Sequence, residues 1–328
     1  MKKYDVIVVG GAAAGLNGTL ALVRSRRSVL VIDNGTPRNA PAEHVHNYLS
    51  RDGVPPRELY AVGRAEVAGY GGEVLTGTVS TVTPWPSEDG FAVELADGRS
   101  FGARRLLVAT GGTDVLPDVP GLAERFGRDV LHCPYCHGWE VRDQAIGVLA
   151  TSGMAIHQAM LFRQLSDDVT LFLHTGPAPS DEQWEELAAR GIAVVEGRVE
   201  AVEVTDDQLT GVRLEGGKVV ARQALAVQSV VRARVDFLAG LGLEAVDQEF
   251  GDAYLGTAVP ADPTGATAVP GVWVAGNVAD LRSQVITSAA AGLTAGAMIN
   301  ADLIAEETRE AVAEHRDLMS SAAGERGS

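Results

Sequence analysis

Cysteine is nearly absent: the 328 residues hold two, Cys133 and Cys136. That scarcity excludes a disulfide-stapled scaffold, which needs several bridges to replace a core. Aromatic residues are scarce too, only 5% of the chain. Positive charge is short as well, with 27 Lys and Arg against 43 Asp and Glu and a formal net charge of −16. An acidic protein repels nucleic acid and anionic membrane surfaces at long range, so neither is expected as a partner. No apolar run reads as approaching the roughly 20 residues that a spanning helix requires. The chain opens MKKYDVIVVGG, already a strand rather than a leader, and a cytoplasmic location is expected. What abounds is glycine, 38 residues in a composition that is 46% hydrophobic. This suits an α/β fold turned at glycines, and the length suits two domains, one interrupting the other.

Tyr4 to Val9 reads YDVIVV, mostly β-branched, and runs directly into GGAAAGLNGTLALVRSRR. The pattern predicts a strand, a glycine turn and a small-residue helix, whose cationic end at Arg24, Arg26 and Arg27 suits the negative pole of its dipole. A second strand, SVLVID, ends at Asp33. Gly10 and Gly15 occupy the first and last glycine positions of the dinucleotide-binding G-x-G-x-x-G pattern, and Asp33 is placed for a ribose hydroxyl. The middle position is Ala12, whose methyl holds a pyrophosphate slightly farther off. A polar connection follows with Asn39, His44, His46 and Asn47, then a helix over RELYAVGRAEVAGYGGE and strands at VSTVTPW and FAVELADG. RRLLVATGG, Arg104 to Gly112, is a further strand ending in a turn that lets backbone approach a cofactor.

From about Pro117 the chain changes character, with PDVPG as a linker. LHCPYCHGWE, Leu131 to Glu140, then places the two cysteines two residues apart, with His132 and His137 beside them. Such a pair suits cycling between dithiol and disulfide, with either histidine able to stabilise or protonate a thiolate. Other readings compete. A structural bridge closing so short a loop removes little unfolded-state entropy. A zinc site needs four ligands around one ion, and four so close in sequence surround it only with strain, so no metal is expected. The string CPYCH also satisfies the haem-attachment pattern, which generally goes with export. Tyr135 and Trp139 read as wall or packing residues rather than chemistry.

A second βαβ unit follows, with a strand over Ile146 to Leu149, a helix over Met154 to Leu165 and a strand VTLFLH ending at His174. Its turn, ATSGMA, carries Ala150, Ser152 and Ala155 at the positions expected to be glycine. A pyrophosphate would meet a methyl and a hydroxymethyl there. The stretch after the strand, HTGPAPSDEQW, has no arginine to pair a 2′-phosphate and offers only His174. The unit is therefore expected to have lost its nicotinamide nucleotide. Asp207 to Val231 reads as two more strands, and Gly271 to Ile299 as a strand, a Gly276-Asn277 turn and a long Ala/Gly-rich helix. The tail beyond Asp302 reads as a frayed helix ending in disorder.

With these pieces in order, the chain resembles the low-molecular-weight thioredoxin reductases over essentially its whole length. The matching stretches are VVGGAAAG, LLVATGG at Leu106 to Gly112, the cysteine motif and GVWVAGNV. Within that superfamily it is similar to the FAD-dependent dithiol oxidases that close disulfides in natural products of the gliotoxin and holomycin type. His137 stands where reductases carry an acidic proton donor, His132 precedes the first cysteine, Asn39 lies in a PRN segment, and Asn277 replaces their usual aspartate. The resemblance implies an α/β fold of two Rossmann-like dinucleotide-binding domains, the second inserted in the first. Residues 1–116 and 235–328 would form the FAD domain and 117–234 the inserted one. It implies FAD held by Gly10, Ala12, Ala14, Gly15, Asp33, Asn47, Ala109, Thr110, Gly111, Gly276, Asn277, Gln284 and Val285. Cys133 would exchange with a small dithiol substrate and Cys136 face the flavin. His132 would be the base, oriented by Asn39, with His137 a second proton carrier. Dioxygen would be the final acceptor and a homodimer the assembly. The alternatives are an NADPH-dependent disulfide reductase and a flavin-bearing redox sensor.

Overall fold

The computed structural model describes residues 1–85, 89–251 and 253–325. Strand β1 (Lys2–Val9), helix α1 (Ala13–Arg24) and strand β2 (Val29–Asp33) form the expected first unit. Helix α2 (Pro56–Gly69) leads to strands β3 (Glu73–Thr76), β4 (Val79–Pro84), β5 (Phe91–Leu95), β6 (Ser100–Val108) and β7 (Gly112–Val115). The sheet order is β3-β2-β1-β6-β5-β4, with β1, β2, β3 and β6 parallel. Val6, Ile7, Val8 and Val9 are all buried, because both faces of the sheet are covered: Val6 and Val8 pack with Leu22, Val23 and Ile299 on one side, and Ile7 and Val9 with Val82, Val93 and Leu238 on the other.

The next stretch holds helix α3 (Leu122–Arg125), strand β8 (Val130–Leu131), helix α4 (Pro134–His137) and strand β9 (Ile146–Leu149). Helix α5 (Met154–Phe162) follows, three residues shorter than expected because Arg163 to Ser166 close it as a turn. Strand β10 (Val169–Phe172) stops short of His174, which turns away with a positive φ of 46°. Helix α6 (Asp181–Ala189) and strand β11 (Ala193–Val195) complete a second parallel sheet, in the order β11-β10-β9-β15-β8. The expected pair of strands between Asp207 and Val231 is in fact four. They are β13 (Gln208–Leu214), β14 (Val219–Ala221), β15 (Ala224–Val227) and β16 (Val230–Ala233), preceded by β12 (Val199–Thr205). β16 pairs antiparallel with β7, Val230 opposite Val115, so the two chain crossings between the sheets lie side by side.

Strands β17 (Val246–Phe250) and β18 (Ala253–Ala258) extend that ribbon, and β19 (Val272–Val274) returns to pair with the C-terminal half of β6. Helix α7 (Val285–Glu325) closes the first layer. It corrects two expectations. The tail beyond Asp302 is helical through Glu325 rather than frayed, with Arg104 and Arg105 of β6 paired to Asp302, Glu306 and Glu307. Its first half, free of charge from Ser283 to Ala301, is also long and apolar enough to cross a membrane by length and composition. One stripe of the helix, Ala295, Ile299 and Leu303, is buried against the sheet, while Leu293, Met298 and Ile304 are exposed. A Cβ at Gly292 would lie 2.0 Å from the Ala14 carbonyl oxygen, so glycine is what lets α7 lie on α1. That contact brings the α7 N-terminus beside the first glycine turn.

Candidate active site at the cysteine pair

The cysteines sit at the start of a single helical turn. Cys133 caps α4 in an extended conformation, Pro134 takes the first helical position, where its missing N–H costs nothing, and Cys136 stands one turn on. A Cβ at Gly138 would lie 2.3 Å from the Pro134 carbonyl oxygen, so only glycine closes this turn. Both cysteines are free thiols and are partly buried. The Cys136 thiol donates to Cys133, and the backbone N–H groups of Tyr135 and Cys136 add to it, lowering the Cys133 pKa to about 7 against the effect of burial. The same contact, with burial, pushes Cys136 up. The pair thus splits into one ready thiolate and one retained thiol.

His132 joins β8 to this turn. Its carbonyl accepts from Gln158 Nε2 of α5 at 2.7 Å, which ties the motif to the second βαβ helix. Burial, and then the Arg38 guanidinium, hold its imidazole down at about 4. Burial likewise lowers His137, whose Nε2 is buried without a partner. Both imidazoles are therefore neutral near pH 7. Arg38 makes a two-pronged pair with Asp114 of β7, at 2.8 and 2.7 Å, and the Ser229 hydroxyl donates to the same carboxylate at 2.5 Å. Despite burial, Arg38 holds the Asp114 carboxyl below its usual range.

One cavity joins the cysteines to the first glycine turn. Its walls include Ala12, Ala14, Asn39, Ala109, Thr110, Gly111, His132, Cys133, Cys136, His137, Gly276, Asn277, Gln284 and Val285. Helix α1 begins at this wall with Ala12 as its cap, no side chain bonded to its first N–H groups and no acidic residue in its first turn. Unpaired N–H groups at a helix N-terminus suit a diphosphate. Gly10 and Gly15 stand behind the wall: a Cβ at Gly15 would lie 1.8 Å from the Gly10 carbonyl oxygen. Asp33 ends β2, against Gly11.

The second turn is different. Ser152 bonds to Gln228 Oε1 at 2.6 Å and accepts from the Met154 N–H at 3.3 Å, so its hydroxyl occupies the helix start. Ala150 is buried, and the Gly176 N–H donates to its carbonyl at 3.0 Å. The expected clash of a nucleotide with the Ala150 methyl is thus corrected: the following turn already covers that methyl, and of the two residues Ser152, not Ala150, lines the cleft. His174 Nδ1 accepts from the Val199 N–H at 3.0 Å, and burial followed by Arg198 holds it below its usual range, so it is no cation for a phosphate. Arg198 itself, which local sequence could not place here, stands near His174 and 3.5 Å from Glu215.

The pyridine nucleotide-disulphide oxidoreductase profile matches residues 4–296. The chain belongs to the pyridine nucleotide-disulphide oxidoreductase family. Thioredoxin reductase tcpT of Claviceps purpurea is 30% identical to this oxidoreductase over 92% of the chain and 95% of its own length. Thioredoxin reductase sirT of Leptosphaeria maculans is 29% identical over 90% and 93%. The crystal structure of HlmI superposes with a TM-score of 0.85 and 44% identity, covering 94% of this chain and 95% of that one. An oxidoreductase from Agrobacterium tumefaciens gives 0.84 and 35%, covering 93% and 99%. The chain is a thiol-disulphide oxidoreductase with the thioredoxin reductase-like α/β fold.

Several expected placements in this oxidoreductase change. No hydrogen bond joins Asn39 to His132 among the described residues; Asn39 Oδ1 instead accepts from the Tyr60 hydroxyl at 3.0 Å. Asn47 does not line the cavity: its Nδ2 donates to the Tyr135 carbonyl at 2.5 Å and its N–H to Asp52 at 2.9 Å. Tyr135 and Trp139 are exposed rather than wall residues, and the Arg142 guanidinium lies over Trp139 at 4.3 Å. Arg38, Tyr60, Asp114 and Gln158 were not foreseen. Arg38 adjoins Asn39 in the PRN segment, yet its partner is distant in sequence and no local signal announces it. Among the described residues no three His, Cys, Asp or Glu side chains converge as a metal site requires.

Proposed function

We propose that this oxidoreductase is a FAD-dependent dithiol oxidase that closes a disulfide in a small dithiol of natural-product type. The observation that carries this reading is the contrast between the two glycine turns: the first opens on the cysteine cavity, and the second is closed by Ser152, Gln228 and Gly176. The N–H groups at the α1 start would hold the FAD diphosphate and Asp33 a ribose hydroxyl, with Gly10 and Gly15 keeping the turn tight. When bound, FAD supplies two-electron transfer between the cysteine pair and dioxygen.

From the oxidised pair, a substrate thiolate attacks Cys133 and releases Cys136 as the leaving thiolate. The second substrate thiolate then attacks the substrate sulfur of that mixed disulfide, forming the product disulfide and releasing Cys133. A thiol of low pKa leaves readily, which suits Cys133 to this second step once Cys136 has taken up a proton and donates to it, the contact that holds Cys133 at about 7. Two electrons and two protons leave the substrate, and dioxygen takes both as hydrogen peroxide. His132, neutral at working pH, would accept the substrate proton, and His137 would carry the second. Residues 1–116 and 235–328 would form the FAD domain and 117–234 the insert. A homodimer and a cytoplasmic location belong to the same proposal.

Anaerobic addition of a small dithiol should bleach the flavin without nicotinamide, and air should restore it with one peroxide per disulfide. Rapid flavin reduction by NADPH would sink this reading. A second reading, an NADPH-dependent disulfide reductase, is favoured by Arg198, a cation whose charge acts on His174 just beyond β10. Tight NADPH binding weakened by Arg198→Ala would support that reading instead.

A further inference from the structure

One hydrogen bond in the cavity wall has no part in the steps above. Tyr60 of α2 is buried among Leu16, Val67, Ala12 and Ala13, and its hydroxyl donates to Asn39 Oδ1 at 3.0 Å. Burial raises the phenol to about 12, so it keeps its proton at working pH. That proton needs an acceptor. Were the Asn39 amide turned over, its NH₂ group would face the hydroxyl, and the phenol proton would lose the partner it has. Asn39 is also fixed through its backbone, its carbonyl accepting from the Ala42 N–H at 3.1 Å.

With Oδ1 held by Tyr60, the group left for the cavity is Nδ2, which has two N–H donors and makes no hydrogen bond among the described residues. His132 lines the same cavity and receives nothing from Asn39. We infer that Tyr60 is a positioning residue that holds Asn39 as a hydrogen-bond donor to a sulfur anion in the cavity, rather than as an acceptor orienting His132. The inference rests on the dithiol oxidase reading for the identity of that anion, the thiolate of the entering substrate. A donor preset toward an anion in a partly enclosed site, beside the positive Arg38, favours the ionised sulfur over the thiol.

Asn39→Asp separates the two roles because it keeps the shape and the acceptor for Tyr60 but replaces the donor with negative charge. If Asn39 oriented His132 by accepting its N–H, aspartate would serve as well or better. The donor role predicts an Asn39→Asp rate of flavin bleaching by dithiothreitol about 100-fold lower at pH 7, with the acid limb of the pH profile moved upward. Tyr60→Phe, which removes one oxygen from a buried apolar site, frees the amide to turn and should lower the rate about 10-fold, with that limb moved upward less than in Asn39→Asp. Bromide, an anion comparable to a thiolate in size, supplies a readout without thiol chemistry. It should perturb the fluorescence of the flavin-loaded wild type, with affinity weakened in both variants.

Bleaching by Asn39→Asp at or above the wild-type rate overturns the inference. So does Tyr60→Phe that matches wild type in rate and bromide affinity, or a wild type indifferent to bromide. A wild type that binds bromide in the Asn39-dependent way but is not bleached by dithiothreitol leaves the donor assignment standing and removes the oxidase reading alone.

Discussion

At the first βαβ turn the N–H groups of α1 open on a cavity with no side chain bonded to them, whereas at the second Ser152 accepts from Met154 and binds Gln228. Both turns lie between a buried strand and a helix, and both depart from the three-glycine pattern. What separates them is whether the chain satisfies its own helix start. One methyl at Ala12 leaves the donors of α1 free, while one hydroxyl at Ser152 is itself a hydrogen-bonding group of the kind a phosphate would supply. A substitution that matters in such a turn is one that adds a partner, more than one that adds bulk.

The largest expected effect comes from closing the open turn. Gly15→Ala puts a methyl carbon at the position 1.8 Å from the Gly10 carbonyl oxygen, and the purified protein should carry almost no flavin, read from visible absorbance per chain. Next is the sulfur end of the same cavity. Cys133→Ser should lower dithiol turnover by about 1000-fold or more, because the attacked sulfur is gone. Cys136→Ala removes the first cause of the low Cys133 pKa, so alkylation by iodoacetamide should titrate well above about 7, toward the ordinary thiol value.

A smaller effect concerns pH. His132 is held at about 4 in the folded chain, against an ordinary 6.5, so below pH 6.5 the unfolded chain binds a proton that the native state refuses. Stability should be full above pH 6.5 and fall as pH drops toward about 4, by the order of 1–2 kcal/mol between 6.5 and 5. His132→Gln should flatten that slope in thermal melts. Least is expected from reopening the second turn. Ser152→Gly with His174→Arg should improve NADPH-driven flavin reduction by about 10-fold at most, because Gly176 still covers Ala150. A large gain would show that Ser152 alone separates the two turns.

Much of this was legible in the sequence because it is local. YDVIVV, the Gly10 to Gly15 turn, SVLVID and the cysteine spacing each declare themselves within a few residues. Helix α6 also had a local signal that went unread: Ser180 accepts from the Gln183 N–H while Gln183 reaches back to Ser180, a capping box spelled SDEQ. Strands β12, β17 and β18 lack a regular apolar alternation: VEAVEVT breaks it at Ala201 and Val202, VDQEF is mostly polar, and AYLGTA is interrupted by Gly256. Other features join distant parts of the chain. The Arg38–Asp114 pair, the Tyr60–Asn39 bond, Gln158 under His132 and Arg198 beside His174 arise only when the sheets stack. The charge-free start of α7 was local as well, Ser283 to Ala301, and went unread because alanine, glycine, serine and threonine interrupt its larger apolar residues.

The antiparallel pairing of β7 with β16 carries a consequence for how such a chain could have been assembled. Val115 and Val230 lie opposite each other in register, so departure and return of the intervening residues occur on one rung of the ladder, about 5 Å apart. A two-residue Asn-Gly hairpin would bridge that distance. Everything from Leu116 to Ser229, thiols included, thus hangs from the stem of a single loop, a geometry in which a whole catalytic module can be gained, exchanged or lost by one genetic insertion without disturbing the sheet beneath it.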